Sequence, residues 1–252
     1  MEATAEDPFK QHKHLACLTP EKSPLAHQRN YRDCLTGWRP PGTGRQSASN
    51  IAASAAANVD PIEFRLKHLD DPRAGKVIET VANRFDWEHG RKAGRYHGRG
   101  FAFAKYKNLA AYVAIALDLE VDRESGRIRL GRAVAADDSG QAVNPDGIKN
   151  QVEGAIVQAA SWTLFEDVAF DRTRIKSRDW ATYPILRFQD VFQSIEVEII
   201  DHPGQPYLGT GEGGQGPTAA AIANAVANAT GRRIRELPFS RDRVKAALLQ
   251  RI

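Results

Sequence analysis

Residues 208–217 read Leu-Gly-Thr-Gly-Glu-Gly-Gly-Gln-Gly-Pro, and an alanine-rich run that ends at Gly231 follows them. The glycines allow backbone N–H groups to approach a ligand closely, and the run after them is predicted to be a helix whose N-terminus favours negative charge. Glu212 lies between these two features. The residues alone leave three interpretations open: the Glu212 carboxylate complements the helix dipole, the loop backbone binds a ligand, or the carboxylate acts in catalysis.

The same loop satisfies the G-x-G-x-x-G pattern of dinucleotide-binding Rossmann folds, with Gly209, Gly211 and Gly214, and Glu236 lies about twenty residues further on. In that fold the glycines follow the end of a strand directly, whereas residues 202–206 separate them here from the preceding predicted strand. Only 16 residues follow Glu236, which is too few for the rest of a parallel sheet. A Rossmann domain therefore stays a weaker alternative.

Hydrophobic periodicity places strands and helices on both sides of the loop. Apolar residues alternate over 112–121 and again over 128–134, with a turn between them, which predicts a β-hairpin over 112–136. Two more strands are predicted at 101–107 and 195–199. The predicted helices cover 61–69, 72–87, a long segment from 145 to about 164, 217–230, and a last segment capped by Ser240.

Composition and charge exclude several classes of protein. The net charge of +4 comes from basic residues that are dispersed among acidic ones rather than clustered with aromatic residues, so we expect no nucleic-acid partner. No stretch is long and apolar enough to cross a membrane. Residues 1–30 carry neither a signal-peptide core nor a twin-arginine start, and we therefore expect a cytoplasmic protein.

The two cysteines, Cys17 and Cys34, show neither a C-x-x-C pattern nor histidines at metal-binding spacing. They predict no disulfide and no zinc site. Four-cysteine ligation of an iron–sulfur cluster is also beyond this chain alone.

Four segments resemble one known family. Residues 209–244, GTGEGGQGPTAAAIANAVANATGRRIRELPFSRDRV, and residues 137–168, DDSGQAVNPDGIKNQVEGAIVQAASWTLFEDV, are similar to motifs of the molybdopterin-binding large subunits of the xanthine dehydrogenase/aldehyde oxidase family. Residues 98–108, GRGFAFAKYKN, and residues 60–69, DPIEFRLKHL, also fit. The resemblance runs from about Asp60 to the C-terminus. It implies an α+β fold, with a mixed or antiparallel sheet flanked by helices.

The resemblance also implies the chemistry. In this family a dithiolene of molybdopterin, not a protein residue, holds molybdenum, so no metal ligand is expected from the chain. Glu212 matches the general base in the hydroxylation of an aldehyde or N-heterocycle with water-derived oxygen, and Gln151 matches a glutamine that contacts the cofactor. Further cofactor-binding residues are expected in the loop itself: Gly209, Gly211, Gly214 and Gln215. The cytosine dinucleotide form of the cofactor is one option.

The resemblance further divides the chain and implies partners. We expect residues 1–45 to form an irregular arm and residues 46–252 to form the second molybdopterin-binding domain. Large subunits of the family carry an upstream part that supplies the other half of the cofactor pocket. The expected partners are that upstream half, an iron–sulfur subunit and, as an option, a flavin subunit. The chain is then an enzyme component when complemented; the alternative is a truncated relic or assembly module without redox chemistry.

Overall fold

A computed structural model of the chain describes residue 54, residues 59–88 and residues 96–249. The predicted arm over 1–45 and its boundary at residue 46 lie outside these residues. The helices and strands follow in the order α1 Pro61–Lys67, α2 Pro72–Phe85, β1 His97–Lys105, β2 Tyr112–Val121, β3 Ile128–Asp138, α3 Pro145–Leu164, β4 Ser194–Ile199, α4 Gln215–Thr230 and α5 Arg241–Leu249.

The four strands form one sheet in the order β1-β2-β3-β4. β2 is antiparallel to both β1 and β3, whereas β4 runs parallel to β3. A parallel neighbour requires a crossover connection, and α3 with the irregular segment after it provides that connection. The sheet is therefore mixed, and the predicted α+β class with flanking helices is confirmed.

Helices cover both faces of the sheet because successive side chains of a strand point to opposite faces. On one face, apolar side chains of β2 and β3 form a core with α3 and α4; its fully buried members include Val113, Ile115, Leu117, Val152, Ile156 and Ile222. On the other face, α2 packs through Val77, Ile78, Val81 and Phe85 against Phe101, Ala114, Ala116 and Val134. None of the described helices is long and apolar enough to cross a bilayer.

Two glycines of β1 allow α4 to lie directly on the strand. A Cβ atom at Gly98 would lie 1.9 Å from the carbonyl oxygen of Ala225, and one at Gly100 would lie 2.0 Å from that of Ala221. These are backbone atoms of α4, and they have no freedom to rotate away. The small residues of the alanine-rich helix α4 and the two glycines of β1 therefore allow the helix and the strand to pack closely.

Side-chain caps begin the first three helices. The side chains of Asp60 and Asp71 accept backbone hydrogen bonds in the first turns of α1 and α2, and Asn144 accepts one from the N–H of Gly147 in α3. Proline follows each cap, as expected.

Several predicted boundaries were wrong by two to four residues. α2 ends at Phe85 rather than near 87, because Asp86 adopts a left-handed conformation with φ 57°. β1 begins at His97 rather than 101, since Gly-Arg-Gly carries no strand pattern of its own. α4 begins at Gln215, so the last three residues of the 208–217 stretch belong to the helix.

Candidate functional site

The glycine-rich segment, residues 208–214, is here called the Glu212 loop. It lies beside the residues that follow β3. The N–H of Leu208 donates to the carbonyl of Ser139 at 2.7 Å, and a Cβ atom at Gly140 would lie 2.1 Å from the carbonyl oxygen of Pro206. The chain before the loop thus passes against the end of β3. From there the loop leads into α4.

Glu212 lies at the exposed tip of this loop. One carboxylate oxygen, Oε2, lies 3.5 Å from the hydroxyl of Tyr106, which follows β1. A Cβ atom at Gly211 would lie 2.6 Å from Cε1 of the same tyrosine, and Gly211 has φ 49°. The glycine lets the loop turn closely over the ring. Tyr106 was not predicted as a site residue, although the motif over 98–108 contains it.

Two amide side chains connect α3 to the loop and to α4. Nε2 of Gln151 donates to the carbonyl of Gly211 at 2.8 Å, and Nε2 of Gln215 donates to Oε1 of Gln158 at 2.6 Å. The structure therefore brings the two sequence motifs together at one place. Gln151 retains its carbonyl oxygen, which can accept a further hydrogen bond.

The other predicted glycines occupy different surroundings. Gly209 has φ 77° and is exposed, with open space where a Cβ atom would be. Gly214 is buried, and a Cβ atom there would lie 3.1 Å from Cβ of Ala155 in α3. Contact with α3 thus gives a structural reason for Gly214, while its predicted contact with a cofactor stays a prediction.

A pocket of about 310 Å³ opens between the start of α3 and the Glu212 loop. Of the predicted residues, Gln151 and Gly209 line it. The remaining lining residues are Ser139, Gln141, Val143, Asn144, Gly147, Ile148, Tyr207 and Thr210. Apolar walls with a few amide and hydroxyl groups suit a flat heterocycle with polar edges. These residues therefore fit a pterin.

Asp138 ends β3 on the α2 face of the sheet and is fully buried. Its Oδ2 accepts from Nε of Arg73 at 2.8 Å and contacts Nε2 of His202 at 3.0 Å, while Oδ1 accepts from the N–H of Gly140 at 3.0 Å. Burial by itself raises the pKa of this carboxyl. The hydrogen bonds from Arg73 and Gly140 outweigh burial, so the pKa of Asp138 lies below its ordinary value.

Asp137 points to the opposite face and is also fully buried. Its Oδ1 accepts from the hydroxyl of Ser139, whereas its Oδ2 has no hydrogen-bond partner among the described residues. Burial raises the pKa of Asp137 from 3.8 to about 6, against the lowering effect of the Ser139 hydrogen bond, and the neighbouring charge of Asp138 raises it further. Asp137, Ser139 and Thr210 were not predicted from the sequence.

Comparison with known proteins assigns the chain to a family. Residues 43–192 match the family model of the molybdopterin cofactor-binding domain. The chain belongs to this family. It is 41% identical over 206 residues to a subunit of nicotinate dehydrogenase from Pseudomonas putida, a match that covers 77% of this chain and 17% of the relative. It is 35% identical over 184 residues to the beta subunit of isoquinoline 1-oxidoreductase from Brevundimonas diminuta, covering 72% of this chain and 23% of the relative.

A solved structure supports the same assignment. Quinoline 2-oxidoreductase from Pseudomonas putida 86 superposes with a TM-score of 0.53 at 26% identity, over 56% of this chain and 19% of that chain. The chain thus spans about a fifth of the length of the family members it matches.

The fold also bears on the dinucleotide alternative. β4 ends at Ile199, ten residues before Gly209, and α4 packs on the antiparallel strands β1 and β2. A Rossmann fingerprint joins a strand directly to its helix within a parallel unit. Its glycine pattern is therefore present here without the structural context that it requires.

Proposed function

We propose that this chain is the C-terminal part of a molybdenum hydroxylase that oxidises an aldehyde or an N-heterocycle. The observation that carries the proposal is the hydrogen bond from Gln151 to Gly211, because it joins the two family motifs next to one pocket. The names of the relatives, which include nicotinate, isoquinoline and quinoline oxidoreductases, favour an N-heterocyclic substrate.

Gln151 and the Glu212 loop would hold the molybdenum–molybdopterin cofactor, which supplies the two-electron oxidation of the substrate carbon when it is bound. Gln151 is suited to accept a hydrogen bond through its free carbonyl oxygen. Gly209 and Gly211 have positive φ, so the loop backbone can turn its polar groups toward the pocket. Gly214 and Gln215 would set where α4 begins beside the cofactor. We include the cytosine dinucleotide form of molybdopterin as one form of the cofactor that the chain would bind.

Glu212 would act as the general base. Its carboxylate is exposed at the tip of the loop, and one of its oxygens contacts the hydroxyl of Tyr106. A positioned carboxylate that accepts a proton in the rate-limiting step contributes about 10²–10⁴-fold in rate. Tyr106 would orient the carboxylate by its hydroxyl while leaving the second oxygen free to accept the proton.

The pocket supports the view that another polypeptide segment completes the site. Val143 is 76% exposed and Tyr207 is 75% exposed, although both line the pocket. Large apolar side chains at the rim of a ligand pocket are stabilised when a ligand or partner covers them. We propose the upstream half of the large subunit as that cover, with an iron–sulfur subunit and a flavin subunit as the electron-transfer partners.

The test is co-expression of the chain with the upstream half, followed by measurement of molybdenum, pterin and turnover. Glu212→Gln is expected to keep cofactor content within about twofold and to lower turnover by about 10²-fold or more. Glu124→Gln is the matched control, because Glu124 is an exposed glutamate in the β2–β3 turn. Normal turnover in Glu212→Gln would leave the carboxylate as a partner of the helix dipole only.

The alternative to the hydroxylase is a relic or assembly module that performs no redox chemistry. The same co-expression separates the two. A complex that forms but retains neither molybdenum nor pterin would support the assembly module and would contradict the hydroxylase.

A further inference from the structure

Asp137 lies beneath the Glu212 loop. It pairs with Val113 across the β2–β3 ladder, so the two side chains lie side by side on the same face of the sheet. A Cβ atom at Gly213 would lie 2.9 Å from Cγ2 of Val113. The backbone of the loop therefore covers the patch of sheet from which the Asp137 side chain projects.

A chain of hydroxyl groups links Asp137 to the loop. The Ser139 hydroxyl donates its one proton to Oδ1 of Asp137, and it lies 2.9 Å from the hydroxyl of Thr210. Because Ser139 has no second proton to give, the Thr210 hydroxyl is the donor in that contact. Thr210 also accepts the N–H of Gly213 at its carbonyl, at 3.1 Å. The hydroxyl groups of Ser139 and Thr210 thus connect the Asp137 carboxyl to the loop segment that contains Glu212.

The surroundings of Asp137 are unfavourable for a charge. Its strand neighbours, Val113 on β2 and Ile199 on β4, are apolar. On its own strand the adjacent charge is Asp138, whose partners Arg73 from α2 and His202 lie on the opposite face. The loop contributes the neutral hydroxyl of Thr210, while its charged residue, Glu212, is exposed at the tip. A buried carboxylate with an oxygen that lacks a donor is destabilised relative to its neutral form.

We propose that Asp137 is a positioning residue for Glu212: the loop stays closed over the sheet while the Asp137 carboxyl is protonated, and ionisation favours opening. Opening would admit water to the unpartnered oxygen and solvate the charge. The closed loop therefore binds the proton more tightly than the open loop, and by linkage a rise in pH shifts the loop toward the open form. The effect on turnover rests on the proposed function of Glu212. The coupling of Asp137 to the loop does not.

The carboxyl is already poised for this role at neutral pH, since burial raises its pKa to about 6. If the open loop restores the ordinary pKa of 3.8, the opening equilibrium is expected to rise roughly tenfold between pH 5 and pH 8. Hydrogen exchange of amides 208–214 in the full chain measures this equilibrium once each rate is divided by its intrinsic rate at the same pH.

Two variants sharpen the measurement. Asp137→Asn keeps the shape of the side chain but cannot ionise, so its loop protection is expected to be independent of pH over this range. Asp242→Asn removes an exposed carboxylate in the first turn of α5 and is expected to behave as the wild type. An Asn variant that retains the tenfold dependence would overturn the proposal, and so would a wild-type loop whose protection does not change with pH.

A direct titration keeps the test decisive even where Asp137→Asn folds poorly. Carbon-13 NMR of the side-chain carboxyl groups of the wild-type chain is expected to show Asp137 titrating near pH 6. Titration below pH 5 would refute the coupling. These measurements need neither cofactor nor partner, so their failure is distinguishable from normal turnover in Glu212→Gln, which would refute the general base alone.

Discussion

Substitution of Gly100 by alanine tests the packing that holds the site in place. The new Cβ atom would lie 2.0 Å from the carbonyl oxygen of Ala221 and 2.6 Å from the backbone nitrogen of Ala225. The helix α4 would have to retreat from β1 by roughly 1.5 Å to reach the separation at which atoms pack favourably. Overpacking of this kind costs about 1–3 kcal/mol, and we expect the upper end because the atoms met are backbone atoms.

The assay is equilibrium unfolding of the full chain in urea, followed by far-ultraviolet circular dichroism. Gly154→Ala is the matched control, because Gly154 is an exposed glycine within α3 and an added Cβ atom there would have nothing within 4 Å. It should stabilise the chain by up to about 1 kcal/mol through helix propensity.

Either of two results would refute the reasoning about α4 and β1. The first is a Gly100→Ala variant that unfolds at the same urea concentration as the wild type, which would mean that α4 does not lie on β1 in this register. The second is an equal loss of stability in both variants, which would mean that the cost does not come from the close approach of helix and strand.

Three further changes have defined outcomes in the same unfolding assay. Arg73→Met should lower the free energy of unfolding by about 2 kcal/mol at pH 7, because it leaves the ionised, buried Asp138 without its arginine partner. The difference in unfolding free energy between this variant and the wild type should become smaller in acid, as the Asp138 carboxylate takes up a proton. Arg84→Met, at an exposed ion pair, should cost under about 1 kcal/mol. The raised pKa of Asp137 favours the folded state at low pH, and this contribution is lost as the pH rises through about 6. The wild type should therefore lose on the order of 2 kcal/mol of unfolding free energy between pH 4 and pH 7 from this group, and Asp137→Asn should abolish that loss. Asn144→Ala should cost about 1 kcal/mol by removing the cap of α3.

Local patterns in the sequence were sufficient for most elements of the fold. The hairpin of β2 and β3 was found because Asp118 and Glu120 interrupt an otherwise apolar strand on one side. The start of β1 was missed, because Gly98 and Gly100 serve a contact with a helix more than 120 positions later. The parallel pairing of β4 with β3 also depends on how α3 crosses the sheet, which no local pattern records.

The candidate site divides in the same way. Glu212 and Gln151 were predicted through family motifs, and the structure adds that the Gln151 amide contacts the Gly211 carbonyl. Asp137 and Thr210 lie 73 positions apart in the chain and are linked through one serine hydroxyl. At the end of a strand an Asp-Asp pair is compatible with exposed turn residues, so the sequence contains no sign that both are buried.

Asp137 and Asp138, which end β3, differ in their partners. This difference determines which of the two carboxyl groups changes its charge near neutral pH. Asp138 is paired with Arg73 and His202 on the α2 face, where its pKa is held below the ordinary value, so its charge is constant at neutral pH. Asp137 faces the loop with a raised pKa, so its charge changes close to neutrality. Because adjacent residues of a strand point to opposite faces, the constant charge anchors α2 and the variable charge acts on the Glu212 loop. A change of pH near 6 should therefore move the loop while leaving the packing of α2 unchanged, and hydrogen exchange of α2 amides provides the internal reference for that difference.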